Sequence, residues 1–185
     1  MAQTVTNVTA GKPRATGGVY RAPLGTTLPT DATTALGEAF VNLGYCSEDG
    51  VTNTNSPETE NVKAWGGSVV LPLQTGKDDT WSFTLLGALD VDVLKAIYGS
   101  DNVTGTLATG ITVTANADEA EEAVWVFEMN LREGALQRIV LPDAKITEVG
   151  EIQYTDNEAV GYATTLSAMP DASGNTHYTY IIRAE

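Results

Sequence analysis

In TWSFTLL, residues 80–86, Trp81, Phe83 and Leu85 alternate with Thr80, Ser82 and Thr84. A period of two sends the large apolar side chains to one face and the short hydroxyls to the other, which predicts a strand lying with one side on a core. The same period returns in VWVFEMNLR, 124–132, with Trp125, Phe127, Met129 and Leu131 on one side and Glu128, Asn130 and Arg132 on the other. EAFVNLGY (38–45), VKAWGGSVVLPL (62–73), ALQRIVLP (135–142), AKITEVGEIQY (144–154), AVGYATTLSAM (159–169) and THYTYIIR (176–183) read as further strands. DASGN, 171–175, reads as the turn joining the last two. The expected fold is mainly β, a two-sheet antiparallel sandwich or rolled barrel.

One stretch breaks the pattern. LGALDVDVLKAIYGSDNV, 86–103, offers Asp90 as an N-cap, Asp92 in the first turn and Gly99 as a stop, predicting a helix over about 90–98. Leu89, Val93, Ala96 and Ile97 form its apolar side. A helix this short is marginal alone in water, so the stripe must dock on the sheets. Lys95 and Tyr98 have no obvious partners, and the helix reads as structural.

Two segments supply little to a core. Residues 1–36 are rich in Thr, Gly, Ala and Pro, with Pro13, Pro23 and Pro29 spaced to interrupt regular structure, and they read as an extended N-terminal arm before a β domain spanning 37–185. CSEDGVTNTNSPETEN, 46–61, reads as a long polar loop, and loops of that length without structure of their own tend to be functional or disordered.

The 185 residues carry 24 acidic and 10 basic side chains, a net charge of −14, which leaves few cations to neutralise phosphate and argues against tight nucleic-acid binding. Cys46 is the sole cysteine, which excludes an intrachain disulfide and a cysteine-based metal site and suggests a small buried thiol. No run of about 18 apolar residues and no basic-then-apolar leader occurs, so a cytoplasmic protein without a membrane partner is expected. His177 is the only histidine; a Ser-His-Asp or Cys46–His177 arrangement competes with a plain strand-surface histidine. ADEAEEA, 117–123, gathers Asp118, Glu119, Glu121 and Glu122, which could hold a hard cation, yet it lacks the ligand spacing and glycine of an EF-hand loop and also reads as a solvated strand entry. Gly76-Lys77 lacks the rest of a phosphate loop. No catalytic residue, cofactor or metal site is expected.

The blocks LGY-x-SEDGVT, KAWGG and YG-x-xNVTG, followed by WVFEMNLREGALQRIVLPDAKITEVGEIQY and TTLSAMPDASGNTHYTYIIR, resemble in this order the major tail proteins of long, flexible-tailed bacteriophages, especially those of actinobacterial hosts. The resemblance spans nearly the whole chain. It implies a non-enzymatic virion protein, assembled in the host bacterial cytoplasm, whose hexameric rings stack into a non-contractile tail tube that conducts the genome. Its implied partners are further copies of itself, tail proteins such as the tape measure and the tail terminator, and DNA in transient, non-specific passage. On this reading Ser47, Glu48, Asp49, Val51, Asn53, Pro57 and Glu58 in the inter-ring loop, with Tyr20 and Pro23 in the arm, are expected at contacts between subunits. Thr80, Ser82, Thr84, Glu128 and Asn130 are expected to face the lumen. The alternative is a carbohydrate- or cell-surface-binding β-sandwich module of a phage tail, which would need exposed aromatics, with Trp65, Tyr178 and Tyr180 as the candidates.

Overall fold

The computed structural model describes residues 7–15 and 17–183, so Met1–Thr6, Thr16 and the last two residues, part of the expected arm among them, lie outside the described residues. In chain order the elements are β1 (Lys12–Pro13), β2 (Val19–Pro23), β3 (Val41–Asn42), β4 (Cys46–Lys63), β5 (Val69–Leu85), α1 (Val91–Tyr98), β6 (Val103–Thr106), β7 (Gly110–Val113), β8 (Ala123–Asn130), β9 (Ala135–Val149), β10 (Tyr162–Ala168) and β11 (Tyr178–Arg183). The fold is mainly β with one flanking helix, as the period-two pattern requires. Nine strands form one antiparallel sheet in the order β3-β2-β8-β9-β10-β5-β4, with β1 added on β8 and β11 on β9, while β6 and β7 make a separate ribbon.

The apolar faces of β5 and β8 make this sheet curl. In a flat sheet, strands three places apart lie about 14 Å from one another. Here the rings of Trp81 and Phe127 stack at 5.4 Å, and Phe83 lies 5.4 Å from Phe127 and 5.8 Å from Trp125. The sheet is therefore rolled around these rings, without closing into a barrel, and Leu85, Leu141 and Leu166 fill the rest of the core.

α1 covers part of that core. The Asp90 carboxylate accepts from Asp92 N at 2.9 Å, and Gly99, at φ 95°, ends the helix while its N–H donates to Lys95 O. Val93, Leu94 and Ala96 are buried. Leu89, expected on the buried stripe, is 69% exposed because it precedes the cap and lies outside the helical period; Leu94 takes the buried place.

Four expectations change. The polar segment 46–61 is not a loop: it is most of β4, paired with β5 from Val51↔Phe83 out to Lys63↔Val69. Backbone pairing with a partner strand creates this structure, and a polar sequence carries no period that reveals it. Conversely, 62–73 is not one strand, because Ala64–Ser68 is the hairpin turn and Gly66 and Gly67 adopt φ 103° and 91°, a conformation closed to most side chains. The two strands expected either side of Pro142 are one, β9, with the proline accommodated at a register shift opposite β8. Finally, residues 19–23 do not extend away from the domain: β2 pairs with β8, and Val19 and Ala22 are buried. Beyond β2 the chain lays Leu28, Leu36 and Phe40 over Val124, Val126 and Val140 on the outer face of β8 and β9, making a second, smaller core.

Leu94→Ala is expected to destabilise the subunit by about 2–5 kcal/mol, whereas Leu89→Ala should change stability by less than about 0.5 kcal/mol. Urea unfolding of both variants checks which leucine holds the helix.

Candidate functional site

The hairpin β4–β5 carries more chain than the core can use. Near its root, Trp81, Phe83 and Leu85 are buried; from Thr52 to Thr75 every residue is exposed. From Asn53 to the end of β4 at Lys63 the ribbon is about 33 Å long at the usual strand rise. Near its tip it exposes Val62, Trp65, Val69, Val70, Leu71 and Leu73, and Trp65 touches solvent over its whole surface (106%).

A buried carboxylate anchors the root. Asp79, 1% exposed, accepts from Asn53 Nδ2 at 2.7 Å and from Thr176 Oγ1 at 2.5 Å, and it meets His177 Nδ1 at 2.6 Å. Both strands of the hairpin are thus tied to the two residues that lead into β11, and the His177 ring stands edge-on to Trp81 at 5.3 Å. Burial alone would raise the pKa of Asp79, but hydrogen bonds from Thr176, His177 and Asn53 and the nearby imidazole outweigh it and hold the carboxyl below its ordinary value. His177 is therefore a structural partner rather than a free strand-surface residue.

The hydroxyls of β5 sit in a wider polar face. Directly opposed residues in antiparallel strands share a face, so Thr80 and Ser82 are flanked by Thr54 and Thr52 on β4 and by Ser167 and Thr165 on β10, with Ala163 opposite Thr84. Ser82 Oγ and Thr165 Oγ1 are 3.1 Å apart, and Glu148 and Lys145 continue the row on β9. Thr52, Thr54, Thr165 and Ser167 were not among the expected residues; only strand pairing reveals them.

Glu128 does not belong to this face. It is 3% exposed, with Arg138 donating from Nε to Oε1 at 2.8 Å and Arg14 Nη1 lying 3.1 Å from Oε2. Arg138, fully buried, also donates to Asp31 O at 2.7 Å and Thr34 O at 2.8 Å, while Arg14 donates to Ala32 O at 2.6 Å. The expectation of a solvent-facing Glu128 therefore fails: its side of β8 is covered by residues 28–40, and Val124 and Val126, apolar on the supposedly polar side, belong to that covered face. Asn130 is exposed at the end of β8, paired with Lys12 and Leu136, and is not brought beside the β5 hydroxyls.

The residues expected at subunit contacts divide in the same way. Glu48, Asp49, Pro57 and Glu58 are exposed along β4; Ser47 and Val51 are half-buried, Val51 against the main core; Asn53 serves the Asp79 anchor. Tyr20 is half-buried in the second core and Pro23 is exposed at the end of β2, so neither joins the hairpin.

Two chemical alternatives find no constellation. Glu119 pairs with Lys145, Glu121 pairs with Arg21 at 2.7 Å, and Asp118 bonds Asn116, so the acidic cluster is dispersed onto separate partners. Among the described residues no three potential metal ligands converge. Burial pushes the Cys46 thiol up to about 11, away from a reactive thiolate. Trp81 and Trp125 are buried, and Tyr178 and Tyr180 are half-buried against the second core, leaving Trp65 as the exposed aromatic of the sugar-platform alternative. No helix among the described residues is long and apolar enough to cross a membrane.

A family profile described as phage tail tube protein matches residues 6–185. A comparison with curated proteins finds no match.

Glu128→Ala is expected to cost about 3–5 kcal/mol, since it leaves buried Arg138 without its counter-charge; an unchanged urea midpoint would contradict the buried pair. Asp79 gives a pH-dependent counterpart. Its folded pKa is depressed, so its contribution is full above the ordinary carboxylate pKa of about 3.9 and is lost as pH falls through the lower folded value. Asp79→Asn should therefore flatten the loss of stability below about pH 4, as measured by thermal unfolding across that range.

Proposed function

The chain belongs to the phage tail tube protein family, and from that premise we propose that it closes into hexameric rings that stack into the hollow, non-contractile tube through which a long-tailed phage expels its genome. It is a structural component of the virion tail. The observation that carries the stacking reading is the hairpin: a ribbon about 33 Å long, with exposed apolar side chains near its tip, finds no covering surface among the described residues. Exposed strand edges and apolar ribbons are liabilities for a lone domain, and contact with further copies removes both. Glu48, Asp49, Pro57 and Glu58 are the expected contact residues that remain available for this role.

The hydroxyl face made by Thr80, Ser82 and Thr84 with Thr52, Thr54, Thr165 and Ser167 suits a lumen wall. Short neutral hydroxyls offer phosphate no fixed cation, Lys145 at the β9 end of the row is paired with Glu119, and the chain's net charge of −14 adds a weak repulsion that keeps DNA from adhering. Assembly in the host bacterial cytoplasm, with a tape measure protein and a tail terminator as further partners, belongs to the same reading. Of Trp65, Tyr178 and Tyr180, the aromatics named for the sugar- or cell-surface-binding alternative, Trp65 is the one that is exposed.

Negative-stain microscopy at increasing protein concentration is expected to show rings and then tubes. Replacing residues 56–78 by an Asn-Gly turn should leave a folded subunit that does not stack, because the core ends before that segment. Tubes from the shortened chain, or a wild-type monomer that binds glycans and never assembles, would contradict the proposal.

A further inference from the structure

Resting on the tube reading, we propose that the hairpin tip has a specific receptor on the next copy: Trp65 seats in the shallow apolar depression formed by Leu86, Gly87, Ala88, Leu89, Val91 and Val160. The lining is given by the structure, where these six residues and Asp90 form one open depression beside the entry to α1. Leu89 stands 69% exposed there.

Position makes the two surfaces complementary between copies rather than within one. β5 begins at Val69, beside the tip, and ends at Leu85, where the depression starts. Sixteen steps at the strand rise separate them by about 53 Å along the strand. Tip and depression are therefore opposite ends of a single element. When two different surfaces of one subunit match, each copy offers a free tip and a free receptor, so the contact joins copies head to tail instead of closing as a two-fold dimer, and on the tube reading it runs from one ring to the next.

Chemistry supports the same pairing. Trp65 is the largest apolar side chain at the tip and is fully exposed, and buried tryptophans dominate contacts between proteins. Lys63, two residues before it, has no ion-pair partner among the described residues. Asp90 lines the depression and exposed Asp92 follows it in the first helical turn. In a chain with 24 acidic and 10 basic side chains, most surfaces repel a second copy, so a tip that ends in an unpaired lysine beside a tryptophan selects an acid-rimmed apolar seat. Gly66 and Gly67, with φ of 103° and 91°, close the tight turn that holds Trp65 at the tip.

The test uses the full-length chain with Cys46→Ala as background. One preparation carries Ala64→Cys, an exposed position beside Trp65 that leaves the indole in place, and a second carries Leu89→Cys; the two are mixed, assembled and treated with a short bis-maleimide. A cross-linked dimer between the two variants is expected, and none when Leu107→Cys, exposed on the β6–β7 turn, replaces Leu89→Cys. Leu89→Asp, at an exposed position, should fold normally, still form rings, and raise the concentration needed for tubes by about tenfold or more. Tubes formed by Leu89→Asp at the wild-type concentration, or cross-links from the tip to Leu107→Cys instead, overturn the receptor while leaving the tube reading standing. A wild-type chain that forms neither rings nor tubes overturns that reading and the receptor with it.

Discussion

The contact of Trp81 and Phe83 with Trp125 and Phe127 bends the sheet, and the rest of the architecture follows from that bend. The four rings come from strands three places apart in the hydrogen-bonded order, so they meet only if the sheet rolls. Aromatic pairs contribute about 0.5–1.5 kcal/mol beyond the area they bury, and the roll lets each ring gain from both. Once rolled, the sheet has an inside that β5 can serve only with its last few residues. The outer part of the β4–β5 ribbon is left beyond the core, with backbone bonds to itself and no side-chain cover.

The outside of the roll is divided between two uses. Over β8 and β9 the chain covers itself: Leu28, Leu36 and Phe40 lie on Val124, Val126 and Val140, and the guanidinium groups of Arg14 and Arg138 grip the carbonyls of Asp31, Ala32 and Thr34. Asp31 fixes the same turn by accepting from Thr33 and Thr34, and these bonds hold its carboxyl well below the ordinary range. A buried ion cluster of this kind gives modest net stability but tolerates little displacement, since moving one partner strands a charge. Over β4, β5 and β10 the outer face carries hydroxyls instead and stays open. The two polar faces that alternation suggested are thus physically different surfaces, one sealed by the chain itself and one free to line a channel.

The sequence was most legible where side chains carry the structure. Trp81, Phe83 and Leu85 announce a half-buried strand, and Asp90 and Gly99 mark the helix ends, because capping and period are local. It was least legible where backbone pairing carries the structure: 46–61 became a strand through its register with β5, and nothing in its own residues shows that. Glu128 is buried although it alternates with the aromatic face, because the opposite face of β8 is covered as well. Val124 and Val126 were the available signal, since a strand apolar on both faces is covered on both. The partners of the β5 hydroxyls on β4 and β10 needed the strand order, which separate segments do not reveal. The resemblance in the order of the sequence blocks reached the tail tube family, while the depression at Leu86–Val91 takes shape only in the fold, at the far end of β5 from the tip.

The central claim is that the outer β4–β5 ribbon is a contact surface between copies. Hydrogen exchange at the amides of residues 54–78, compared between monomer and assembled protein, tests it most directly. In the monomer these amides should exchange far faster than those of β8 and β9, because the ribbon opens without disturbing a core; on assembly they should become protected. Equal exchange in the two states, with protection gained elsewhere, would show that the copies meet on a different surface.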